Sequence, residues 1–151
     1  MNTRVVSGGQ SGVDRAALDV VLRLGLPCGG WCPAGRLAED GCLPLTYPLR
    51  ETPTGDYAQR TLWNVRDSDG TLILAHGPLS GGTAYTLACA RQLGRPALVE
   101  DLGASPSVAR VQAWRREHAV HCLNVAGPRA SSAPGVYDLA AAFMEALLAK
   151  P

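Results

Sequence analysis

Ser7-Gly8-Gly9-Gln10-Ser11-Gly12-Val13-Asp14-Arg15 decides the fold. It follows the apolar pair Val5-Val6 and precedes an amphipathic run from Arg15 to Leu24, so it reads as strand, glycine loop and helix. Glycines let the backbone turn sharply and leave no Cβ between the amides and a ligand. The first amides of a helix have no intrahelical acceptor and sit at the positive end of the macrodipole, which suits an anion such as phosphate. The spacing Gly8, Gly9, Gly12 is G-G-x-x-G, short of the dinucleotide fingerprint and without the Lys-Ser/Thr of a P-loop. Alone, the motif fits a tight turn without ligand as well as an anion site.

Outward from this stretch, strands and helices alternate. Thr3–Ser7 is predicted as strand one, Asp14–Gly25 as helix one and Cys28–Cys32 as a short second strand. From Pro33 to Pro53 no period is sustained, and four prolines punctuate a long loop with the aromatic and charged content of a functional segment. A helix is expected over Asp56–Asp67 with Asp56 as N-cap, placing Tyr57, Arg60, Asn64 and Asp67 on one face. Thr71–Ala75 has the near-continuous apolar character of a central parallel strand. A second glycine loop, His76 to Thr83, opens a helix to Leu93. Strand Ala97–Glu100, a helix capped by Ser105 or Ser107 and running to His118, strand His121–Val125, the loop Ala126 to Ser132 and helix Val136–Ala149 complete the chain.

This alternation predicts an α/β, three-layer, Rossmann-like domain spanning residues 1–151, its parallel sheet covered by helices on both faces. The expected strand order is 2-1-3-4-5. Strand one and Thr71–Ala75 would then be neighbours, and both glycine loops would open on the crevice between them, beyond the C-terminal strand ends.

Composition narrows the partners. The 14 Lys+Arg nearly balance the 13 Asp+Glu, which leaves no basic stripe for nucleic acid. Lys150 is the single lysine, so arginines are the candidate anion contacts. No apolar run reaches the ~18–20 residues of a membrane span, and the N-terminus lacks a signal-peptide core, so a cytoplasmic protein is expected. The five cysteines are odd in number and scattered, and are expected to stay thiols. Cys28, Cys32 and Cys42 lack a fourth ligand at zinc-like spacing, so no metal site is expected, and Cys89 fits a small core residue.

Several segments in combination resemble one family. They are Gly8 to Arg15, Gly29-Gly30-Trp31-Cys32-Pro33, Ala38-Glu39-Asp40-Gly41, Tyr57 to Thr61 with Trp63 to Asp67, Gly77-Pro78-Leu79-Ser80-Gly81-Gly82-Thr83, and Asn124 to Arg129. Together they are similar to the molybdenum cofactor carrier family. That family belongs to the Rossmann-like SLOG group, with the lysine-decarboxylase-like cytokinin-activating hydrolases and the DNA-processing protein A domain. The resemblance covers nearly the whole chain. It implies the SLOG fold, a homo-oligomer (dimer or tetramer) and the molybdenum cofactor, a phosphorylated pterin, as cargo.

By that resemblance Gly8, Gly9, Gln10, Ser11 and Gly12 form one anion nest. Gly77, Pro78, Ser80, Gly81, Gly82 and Thr83 supply the other. Arg60 and Arg129 are candidate counter-charges, Asn64 a candidate hydrogen-bond partner and Trp31 a candidate stacking surface. Asp14 belongs either to the site or to the helix start as an acid complementing the dipole. Two other functions compete with a carrier: cleavage of a nucleoside 5'-monophosphate N-glycosidic bond, and sensing of a nucleotide ligand. The related hydrolases carry P-G-G-x-G-T-x-x-E, and the glutamate position here is Thr86, whose hydroxyl cannot replace a carboxylate. No catalytic residue is therefore assigned.

Overall fold

A computed structural model of the protein describes residues 3–149, so Lys150 lies outside the described residues. β1 (Arg4–Val6) leads through the glycine loop into α1 (Val13–Arg23), and β2 (Cys28–Gly29) follows. The predicted second strand breaks there. Gly30 has φ +127°, and a Cβ on it would lie 2.3 Å from the Ser7 carbonyl oxygen. The chain therefore turns, and β3 (Trp31–Cys32) leaves the main sheet to pair with β6 (Arg50–Glu51).

Between them the long loop is not featureless. It holds a small antiparallel pair, β4 (Leu37–Ala38) and β5 (Gly41–Cys42). Its Ala38, Leu43 and Leu49 pack with Leu18 and Cys32 in a core of their own. Two tyrosine hydroxyls, of Tyr47 from this segment and of Tyr137, donate to the Asp19 carboxylate of α1. Isolated short strands cannot be read from periodicity, which is why the sequence reads here as loop.

α2 (Tyr57–Arg66) starts as expected, its N-cap Asp56 accepting from the Ala58 amide at 2.9 Å. β7 (Gly70–Ala75) is buried along its whole length. α3 (Gly81–Leu93) ends at Gly94 in the left-handed conformation. β8 (Ala97–Asp101) precedes α4 (Val108–Glu117), capped by Ser107. β9 (Cys122–Ala126) and α5 (Val136–Leu148) finish the described chain.

The α/β class, the five-stranded parallel sheet and the flanking helices are as the sequence predicts. The strand order is corrected. The sheet runs β2-β1-β9-β7-β8, so the last strand lies between β1 and β7, which are not neighbours. Counted from β9 as though it came first, the order becomes 3-2-1-4-5, that of a doubly wound sheet. Val5, Leu72, Leu74, Leu123 and Val125 face one core with α1, α4 and α5. α2 and α3 pack together around Val65, Cys89 and Ala90, which confirms Cys89 as a small core residue. The chain leaves β9 towards α5 and β7 towards α3, so the switch point is the β9–β7 crevice. Among the described residues no helix is long and apolar enough to cross a membrane.

Candidate functional site

A cavity of about 420 Å3 opens at that switch point. Its floor is the ends of β7 and β9 at Ala75, Asn124 and Ala126, and its walls come from α2, α3 and the β9–α5 loop. The volume falls in the range of small-molecule sites.

One end is the start of α3. Ser80 takes the N-cap position, and its side chain makes no capping hydrogen bond. Gly81 and Gly82 are the first two helical residues, so their amides have no intrahelical acceptor and sit at the positive helix end. A Cβ built on Gly77, Gly81 or Gly82 meets no atom within 4 Å. Gly81 has φ +52°, which a side chain would resist; Gly82 is ordinary helix and glycine there leaves room. Pro78, Ser80, Gly81, Gly82 and Thr83 all line the cavity. Gly77 stands behind them, its amide donating to Asp101.

The opposite end is built around Asp14. Its carboxylate accepts from the Gln10 amide at 3.3 Å and faces the Arg60 guanidinium, also at 3.3 Å. Both side chains are about nine-tenths buried. Burial pushes the Asp14 pKa up to about 6, against the opposing pull of Arg60. Arg60 in turn lies over Gly8 and stacks on the Tyr57 ring, 5.3 Å from its centroid. The α2 stripe thus turns inward: Arg60 and Asn64 are buried.

Three amides of the first glycine loop are taken by the protein itself. The Gln10 amide is taken by Asp14, the Ser11 amide by the Gln10 side-chain oxygen at 3.0 Å, and the Val13 amide by the Pro128 carbonyl at 3.2 Å. Its glycines also serve packing. Gly9 makes room for Leu43 and Leu49, and Gly12 for the Pro128 backbone. Of this stretch Gly8, Gln10 and Asp14 reach the cavity, while Gly9, Ser11 and Gly12 do not line it.

Two further candidates are engaged with each other. Asn64 borders the cavity, but its amide both donates to the Trp31 carbonyl (2.9 Å) and accepts from the Trp31 amide (2.8 Å). It clamps β3 where the chain leaves the sheet. Trp31 lies in a separate cavity and contacts Trp63 edge-on. Arg129 is where the sequence puts it, half exposed at the cavity wall and 3.8 Å from Glu39. His76, Tyr85, Thr61 and Asn124 also line the cavity. His76 directly follows β7 at the C-terminal sheet edge, a position the strand assignment itself could have marked.

The β4–β5 turn closes over the loops. The Glu39 carboxylate accepts from the hydroxyls of Ser11 and Ser131 and from the Ser131 amide at 3.2 Å. These bonds hold its pKa below the ordinary 4.5. Arg15 grips Asp40 through two 3.0 Å bonds and the Gly9 carbonyl through two more. Because the Glu39 pKa is lowered, its contribution is present above the unfolded value and lost as pH falls through the folded one. Glu39→Gln should lower the amide protection of residues 37–42 at pH 7, and acidification through the lowered Glu39 pKa should do the same to the unaltered protein, protection being taken relative to the intrinsic exchange rate at each pH. Exchange mapped by mass spectrometry checks this; equal protection in both proteins at pH 7 would remove Glu39 as the anchor.

The fold agrees with that of a solved protein. The chain is similar to a crystal structure titled "Putative molybdenum carrier protein" from Syntrophus aciditrophicus SB, with 47% identity over 97% of this chain and 95% of that one, at a TM-score of 0.94. No curated protein matches. Residues 5–148 match the circularly permutated YpsA SLOG family, whose name agrees with a last strand standing where a doubly wound sheet has its first. The chain belongs to that family.

Proposed function

We propose that this chain binds and carries the molybdenum cofactor or a closely related phosphorylated pterin, held in the 420 Å3 cavity. The observation that carries the reading is the open start of α3, with Gly81 and Gly82 bare of neighbours and facing the cavity. The similar solved protein is named a molybdenum carrier, which supports the same cargo class. The phosphate would sit on the Gly81 and Gly82 amides with the hydroxyls of Ser80 and Thr83, and Arg129 would approach from the β9–α5 loop. Arg60, fixed by Asp14 and Tyr57, supplies a rigid positive wall.

Gly82→Ala separates binding from folding. A Cβ there projects into open cavity, and alanine is the better helix former by about 0.5–1 kcal/mol. The variant should melt at or slightly above the unaltered protein yet retain cofactor at least tenfold less well. Protein loaded with molybdenum cofactor, desalted, and assayed for molybdenum and oxidised pterin gives the comparison. Equal loading of both proteins would defeat the placement, and no loading of the unaltered protein would defeat the carrier reading.

Hydrolysis is not expected. The Thr86 hydroxyl donates to the Gly82 carbonyl at 2.8 Å, closing a turn of its own helix. It presents no base to a glycosidic bond. With AMP the protein should release no adenine, and turnover near 1 per second, ordinary for an enzyme, would replace the carrier by the hydrolase.

A further inference from the structure

A second cavity, of about 290 Å3, shares only Asn64 with the first. It lies among β1, β3, β6 and α2, and Arg4, Trp31, Pro48, Arg50 and Asp67 line it. Arg4 is laid across Gly29, where any Cβ would stand 2.4 Å from its Nη2. Arg50 is the cross-strand neighbour of Trp31, and its guanidinium lies 4.7 Å above that ring. Trp31 is fixed from two sides, by Trp63 at 4.8 Å and by its Nε1 donating to Asp67 at 2.9 Å.

The charges do not cancel. Asp67 is already held by Arg66 through bonds of 2.8 and 2.9 Å, and its carboxyl titrates below the ordinary range chiefly for that reason. Among the described residues neither Arg4 nor Arg50 lies in an ion pair. Two guanidinium groups, each set in place by packing, therefore border one cavity with a single, compensated carboxylate. Guanidinium forks match the oxygens of phosphate, and a preset fork loses little freedom on binding.

We propose that Arg4 and Arg50, with Trp31 as platform, form a second anion site that takes a phosphate-class oxyanion. It is independent of the cofactor cavity and does not rest on the carrier reading. The ion is either free phosphate or the phosphate group of a small ester, and the two share the same contacts.

Titration of the full chain with inorganic phosphate and with ribose 5-phosphate at low ionic strength, followed by tryptophan fluorescence, tests the site. A change is expected that is lost in Trp31→Phe, weakened at least tenfold in Arg4→Gln and in Arg50→Gln, and retained in Gly82→Ala, which blocks the other cavity. Equal affinity for the two ligands assigns the free ion, and a tenfold preference for the sugar phosphate assigns an ester. Both arginines are exposed, so the variants should keep the melting temperature of the unaltered protein. A response that survives the double arginine variant, or disappears in Gly82→Ala, overturns the proposal. So does light scattering in which the arginine changes dissociate an oligomer while phosphate gives no response, which would assign this face to a second copy of the chain.

Discussion

Replacing Gly12 by alanine should lower the melting temperature by roughly 10 °C, taking about 3–5 kcal/mol of lost stability at the 2–4 °C per kcal/mol usual for this chain length. Two costs add. Gly12 has φ +81° and ψ −127°, a region that only glycine occupies readily, at about 1–3 kcal/mol for other residues. A Cβ there would also lie 2.5 Å from the Pro128 carbonyl oxygen and 2.8 Å from the Ala130 nitrogen. These are backbone atoms, so no side chain can swing aside. The β9–α5 loop must move instead, at the usual cost of about 1–3 kcal/mol for overpacking. Thermal unfolding of Gly12→Ala beside Gly82→Ala makes the comparison within one motif type. A loss below about 1 kcal/mol for Gly12→Ala would mean that the two loops are not packed as described.

Arg60→Met should cost up to about 2 kcal/mol at pH 7.5 by way of Asp14, because the unaltered protein releases the Asp14 proton near pH 6 and the variant holds it, at about 1.4 kcal/mol per pH unit. The effect should depend on pH in a defined direction. The folded pKa of Asp14 is already raised, to about 6 from 3.8, so the folded protein holds a proton that the unfolded chain has released. Between those values stability falls as pH rises. Arg60 is the main group opposing that shift, with Arg15 and the Gln10 and Gly127 amides adding to it. Without Arg60 the pKa climbs further, so the loss continues to higher pH. The gap between the two proteins should be small near pH 4, where Asp14 is protonated in both, and should widen as pH rises above about 6. Adding Asp14→Asn to Arg60→Met should recover much of the stability, because no buried carboxyl then has to be kept protonated against the pH of the solution. It should not recover ligand binding, since the positive wall is gone. Urea unfolding of the four proteins at pH 4.5 and 7.5 decides it, and a gap independent of pH would show that the pair contributes through packing alone.

Much of this protein is legible in its sequence because the signals are local. The apolar run of β7, the caps Asp56 and Ser107, and Gly94 after α3 each act within a few residues, and all are found where expected. The α3 glycine loop is legible for the same reason: its residues lie together in the chain and stay together at the cavity.

Tertiary structure decided the rest. Nothing local places β9 between β1 and β7, because strand order follows from which helix covers which face. The only hint lies in the strands themselves: β9 is buried through its middle, whereas β8 leaves Val99 more than a third exposed and ends in Glu100 and Asp101, as an edge strand can. The role of the first glycine loop was likewise beyond local reading. Its motif permits an anion site, but Asp14, the Gln10 side chain and Pro128, two of them one turn or less away and one at the far end of the chain, occupy three of its amides, those of Gln10, Ser11 and Val13. An amide binds whichever acceptor the fold brings nearest, and in this loop the fold brings the protein's own.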